Sequence, residues 1–160
     1  MATQQPEGGG GQAASFEPVV EVLDETACLS LIAGGGVGRI GYTGRFGPTV
    51  LPVNYDLHEG TIVFRTGMDS AMVGDLRTGI ADAEYKVAFE VDQMQPATQE
   101  GWSVLVQGAA HFVDSEQELA PIAELGVQAW PGGSKEQFIR VIPARITGRR
   151  IHRTSETAAR

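Results

Sequence analysis

The stretch Phe64-Arg65-Thr66-Gly67-Met68-Asp69-Ser70 brings one guanidinium and two hydroxyls close together along the chain. Arginine presents a planar fork of donors, and the hydroxyls of Thr66 and Ser70 add neutral ones. Placed where a strand gives way to a helical turn, the set suits a phosphate. Arg65 is the only Lys or Arg between Phe46 and Gly74, so it is the expected main anion contact. A plain strand-to-helix turn capped by Ser70 or Asp69 accounts for the same residues equally well.

Other familiar chemistries fail on inventory or on context. Gly36-Val-Gly38-Arg-Ile-Gly41 satisfies the letters of a dinucleotide-binding loop. That loop must lead from a strand into a helix, whereas here a helical segment precedes the glycines and Tyr42-Thr-Gly44-Arg-Phe-Gly47-Pro48 follows. The glycines are expected to stop a helix and then allow close backbone approach in a strand. His58, His111 and His152 lie far apart in the sequence with no ligand-spaced partner, so no metal site is expected. No G-x-S-x-G elbow marks a nucleophile, and no catalytic side chain is assigned. The lone Cys28, within Ala27-Cys28-Leu29-Ser30-Leu31-Ile32, reads as a small core residue.

These residues need elements to position them. Residues 1–15 are polar and Gly-rich and are expected to form a disordered leader; 16–153 form one domain, and 154–160 a flexible tail. Val19 to Leu23 reads as a strand, and Asp24 caps a helix that ends at Gly34 to Gly36. Short β-rich runs follow: Val37 to Thr43, Thr49 to Leu57 and Thr61 to Arg65 as a meander, a helical turn from Ser70 to Leu76, then strands from Tyr85 to Val91 and Trp102 to Val113. Asp92 to Gly101 is expected as a polar excursion. A helix capped by Asp114 or Ser115, a loop at Trp130-Pro131-Gly132-Gly133, and closing strands from Phe138 to Ile142 and Ile146 to His152 complete the pattern. The fold class is mainly β: a small antiparallel barrel with short helices packed over its openings.

Composition narrows the function. Twenty acidic against twelve basic side chains give a net charge of -8, which disfavours nucleic acid as a partner. The basic side chains Arg140, Arg145, Arg149, Arg150, Arg153 and Arg160 crowd toward the end; a local anion site is one reading of them, and the simpler one is a solvated basic edge strand and tail. No apolar run approaches the length of a membrane-spanning helix. With one cysteine and no signal-peptide pattern after Met1, the expected compartment is the cytoplasm.

Taken in order, Val37-Gly-Arg-Ile-Gly-Tyr42, Val50-Leu-Pro-Val-Asn-Tyr55, Ile62-Val-Phe-Arg-Thr-Gly67, Gly101-Trp-Ser-Val-Leu-Val-Gln-Gly108 and Ile146-Thr-Gly-Arg-Arg150 resemble the pyridoxamine 5'-phosphate oxidase-like family over about Val19 to Ile151. The resemblance implies a split β-barrel that pairs as a homodimer, with flavin mononucleotide (FMN) in grooves between subunits; some relatives take a deazaflavin coenzyme. It places Arg65, Thr66 and Ser70 at the phosphate, the Pro52-Val53-Asn54 backbone beside the isoalloxazine ring, and Gln107 at the ring's polar edge. Trp102 and Trp130 are candidates to cover the ring or the dimer seam. Many relatives carry a lysine in the short helix after the phosphate strand, where this chain has Ala71-Met72 flanked by Asp69 and Asp75, and that departure weakens the expected phosphate binding. The implied function is an FMN-dependent oxidoreductase acting on a small organic substrate. The alternative is a non-catalytic binder of a flavin, a deazaflavin or a haem-like ligand.

Overall fold

The computed structural model describes residues 17–80, 83–127 and 136–154. The expected leader, all but the first residue of the expected tail, and the loop containing Trp130 lie outside these residues. The described elements run β1 (Glu17–Leu23), α1 (Glu25–Ile32), β2 (Gly36–Gly44), β3 (Gly47–His58), β4 (Thr61–Gly67), α2 (Ala71–Leu76), β5 (Tyr85–Gln95), β6 (Glu100–Phe112), α3 (Glu116–Ala123) and β7 (Glu136–Thr154). All strand pairs are antiparallel, in the order β1-β7-β4-β3-β2-β5-β6, and an additional β6–β7 pairing closes six of the strands into a barrel with β1 laid against β7. Two of the seams are short: β2 meets β5 only from Arg39 to Gly41, and β3 meets β4 only from Tyr55 to His58.

Period-two alternation explains the core. Ile40, Ile62, Phe64, Phe89, Val104, Val106, Ile139 and Val141 point inward and are fully buried. The Phe89 ring meets Tyr55 edge-on with centroids 5.3 Å apart. Gly38, from the glycine motif, faces this ring: a Cβ there would stand 2.3 Å from Phe89 Cε1. The motif lies within strand β2, as its context predicts, and Gly38 makes room there for an aromatic side chain.

Each of the three helices starts at a side-chain cap. Asp24 accepts from the Ala27 amide, Ser70 from that of Val73, and Ser115 from that of Glu118. Met72 and Leu76 of α2 and Cys28 and Ile32 of α1 are buried in the main core. Beneath α3 lies a separate apolar cluster of Val63, Val113 and Ile122, with Leu119, Leu125 and Phe138 packed on it.

Three expectations are corrected. Asp92 to Gly101 is no excursion, since Asp92–Gln95 pair with Glu100–Ser103 in a projecting ribbon. Residues 92–95 are all exposed, so nothing imposes an apolar alternation that the sequence could display. The two closing strands are one, β7, with a register shift where Gln107 faces Arg145 and Gly108 faces Pro143; a proline without an N–H fits such a break in the ladder. Nor is the basic strand an edge, because β7 pairs with β1, β4 and β6, while its Arg145, Arg149, Arg150 and Arg153 side chains remain exposed.

Candidate functional site

The turn from Arg65 to Ser70 folds so that its donors part company. Adjacent strand residues point to opposite faces. Thr66 donates its hydroxyl to Ser70 Oγ at 3.2 Å, and Ser70 Oγ also accepts from the Val73 amide at 3.3 Å. Arg65 turns to the other face, toward α3, where Nη1 lies 2.8 Å from Glu136 Oε2 and the guanidinium stands 5.7 Å from the Phe138 centroid. Its Nε is buried without a hydrogen-bond partner. The expected juxtaposition of Arg65 with Thr66 and Ser70 is therefore corrected, by the two-residue period of the strand.

Other cations occupy the place. A cleft of about 670 Å³ beside Ser70 is lined by Arg45, Met68, Asp69, Ser70, Ala71, Val73, Gly74 and Arg77. Arg45, at the β2–β3 turn, donates from Nε to Asp75 at 2.7 Å. Arg77 follows α2, with its guanidinium 4.3 Å from the Phe112 ring centroid and Nη2 3.1 Å from Gln137 Oε1. Asp114 is more distant from it, at 3.6 Å. Both arginines escaped the sequence reading because they lie just outside the turn, on either side of the stretch in which Arg65 stands alone. The signal available was only that they are the next cations along the chain.

A second cleft adjoins the first, and a third adjoins the second. The second, of about 710 Å³, shares Arg77 with the first and extends over Ala109, His111, Phe112 and Ile142. The third, of about 670 Å³, shares Glu84, Ala109 and Ile142 with the second and has a floor of Gly41, Ala88, Gly108 and Ala109, edged by Lys86 and Gln107. Gln107 thus stands exposed at a flat surface of small residues, where its amide can both donate and accept. Pro52, Val53 and Asn54 do not share this floor. Pro52 is exposed on β3, Val53 is buried in the barrel, and Asn54 lines a small separate cleft with Gly34, Gly35 and Gly36. Trp130 lies outside the described residues, and Trp102 packs against the main core.

The donor set fits a phosphate-bearing aromatic group: guanidiniums and a serine at one end, a flat floor with an amide edge at the other. Ala71 lines the cleft while Met72 points into the core, so no lysine contributes here. Cys28 is buried, and burial first, then Asp24, pushes its thiol pKa up, which removes thiolate chemistry. Among the described residues no three His, Cys, Asp or Glu gather as for a metal ion, and no helix is long and apolar enough to cross a membrane.

Comparison with known proteins agrees with this architecture. The chain is 32% identical over 143 residues to the uncharacterized protein Rv0080 of Mycobacterium tuberculosis, covering 89% of this chain and 92% of that one. It resembles the FAD binding protein from Mycobacterium smegmatis with a TM-score of 0.66 and 29% identity, covering 84% and 99% of the two chains. A FAD-binding protein from Mesorhizobium loti, at 18% identity, shares the fold, with a TM-score of 0.64 and coverage of 85% and 99%. The sequence pattern of the family described as Pyridoxamine 5'-phosphate oxidase matches residues 24–150, and with the closed antiparallel barrel of β2 to β7 this chain belongs to that family.

Proposed function

We propose that this chain is a flavin-dependent oxidoreductase for a small organic substrate, working in the cytoplasm as a homodimer. The observation that carries this reading is the run of adjoining clefts, with cations at its Ser70 end and an amide-edged flat floor at its Gln107 end. FMN is the expected cofactor; a deazaflavin coenzyme has the same division into an anionic end and a planar ring, and the M. smegmatis protein points to FAD as a third form. The bound flavin supplies hydride or electron transfer. This chain's residues hold and orient it: Thr66 and Ser70 set the turn at the phosphate end, and the Gln107 amide addresses the polar edge of the ring. The small side chains of Gly41, Ala88 and Ala109 would leave room for the ring. A second copy, laid over exposed Val37, Val50 and Ile142, completes the groove and excludes water from it.

A second reading, a binder without catalysis, is favoured by one observation: each cleft arginine already has a carboxylate nearby, Asp75 for Arg45 and Asp114 for Arg77. Both readings meet one experiment. FMN, FAD and a deazaflavin coenzyme are titrated into the purified protein, followed by rapid mixing with reduced nicotinamide. Binding followed by reduction of the cofactor is expected. Binding without electron transfer from the nicotinamide leaves the binder, and no binding of any of the three removes both the oxidoreductase and a flavin or deazaflavin binder.

A further inference from the structure

The geometry assigns Arg77 as the anion anchor of the groove, the group that takes the phosphate of an organic phosphate ester in place of a helix lysine. Three features set it apart from an ordinary surface arginine. First, it lines both the cleft beside Ser70 and the larger one beyond it, so a ligand spanning the two must pass its guanidinium. Second, it is held in place. Gln137 is buried, with 3% of its surface exposed, and its amide nitrogen donates to Val113 O, Asp114 Oδ1 and Phe138 O at 3.1–3.2 Å. Those acceptors fix which way the amide points and present Oε1 to Arg77 Nη2. The Phe112 ring supports the flat face of the guanidinium.

Third, the fork is only partly used. Among the described residues its hydrogen bond runs from Nη2 to Gln137, while Asp114 lies at 3.6 Å and is itself an acceptor for Gln137. Nη1 and Nε remain to meet phosphate oxygens, and a guanidinium fixed in advance loses little freedom on binding. Arg45 lines the same cleft from the opposite hairpin, tied to Asp75. The anion is thus held between one oriented and one neutralised arginine.

Assigning FMN as the ester rests on the flavin reading, whereas the anion site does not. Inorganic pyrophosphate, FMN and riboflavin, which lacks the phosphate, are each titrated into wild-type protein and into Arg77→Met and Arg77→Lys. The methionine keeps the aliphatic stem over Phe112, and circular dichroism and the unliganded melting temperature establish that each variant is folded. Pyrophosphate should raise the melting temperature of the wild type, hardly that of Arg77→Met, and that of Arg77→Lys in part. FMN affinity should fall about 10- to 100-fold in Arg77→Met, with riboflavin affinity unchanged; a purely structural Arg77 would move both flavins together. Equal stabilisation of wild type and Arg77→Met by pyrophosphate, or none of the wild type, overturns the assignment even if flavins bind. Arg77-dependent pyrophosphate binding with no flavin binding upholds it and discards the flavin reading.

Discussion

Arg65 shows how one residue's orientation decides its chemistry. It stands next to Thr66 in sequence, yet it spends its charge on Glu136 across the β4–β7 seam. A partly exposed ion pair of this kind contributes little, and a buried, unpartnered Nε detracts further. Arg65→Ala should therefore leave FMN affinity within roughly threefold of wild type and cost less than about 1 kcal/mol of stability; isothermal titration and urea unfolding check the two halves. A loss of tenfold or more in affinity would return Arg65 to the phosphate. Gly38 is the opposite case, a residue without chemistry on which the barrel depends. A methyl there must displace the Phe89 ring, and Gly38→Ala should cost about 1–3 kcal/mol by urea unfolding, against almost nothing at an unconstrained strand position.

At the scale of elements, the helices are tied to the barrel by a few polar contacts with definite pH signatures. In α3, Glu118 accepts from the Ser115 hydroxyl at 2.8 Å and meets His111 Nε2 of β6 at 2.7 Å. The Ser115 hydrogen bond first, and His111 second, hold its carboxyl below the usual range. A depressed carboxylate stabilises the fold fully above its unfolded value of about 4.3, and that contribution disappears as pH falls through the lower folded value. Wild-type melting temperature should thus decline more steeply below about pH 4 than that of Glu118→Gln, by a small margin because the site is solvated. In α1 the sign reverses. Tyr55 donates to the Ile32 carbonyl at 3.1 Å, and burial, then Asp56, pushes its pKa up to about 12. Its contribution is whole below the unfolded value of about 10 and is lost as pH rises toward the folded one. Tyr55→Phe should lose about 1 kcal/mol near neutrality and lack the extra alkaline destabilisation, which denaturant titrations at neutral and alkaline pH would resolve.

For the whole molecule, the outer face of the barrel matters most. Val50 is 64% exposed on β3 beside the flat floor at Gly41, and Val37 and Ile142 are also uncovered. In an assembly of two copies this face is buried and the groove is roofed. Light scattering at micromolar concentration should give twice the chain mass of 17.0 kDa, and Val50→Asp should yield monomers with weakened flavin binding. A monomeric wild type that binds flavin at full strength would contradict the dimeric groove.

The cap at Asp24, the meander from β2 to β4 and the structural role of the glycine motif were legible from the sequence, because capping, alternation and turn chemistry act over a few residues; the sequence offered Ser70 or Asp69 and Asp114 or Ser115 for the other two caps, and the structure uses Ser70 and Ser115. For Gln107 the family resemblance implied a place at the ring's polar edge, and the structure shows it exposed in a cleft with Gly41, Ala88 and Ala109. What only the tertiary structure decided depends on which distant strands share a face. The two-residue period sent Arg65 away from Ser70, the closure of β6 on β7 moved an apparent edge strand into the barrel wall, and the projecting β5–β6 ribbon carried no apolar code to betray it. Arg45 and Arg77 meet beside Ser70 because a hairpin tip and the exit of a helix converge at one end of the barrel. Such convergence is set by packing between elements remote in sequence, and no local pattern of residues encodes it.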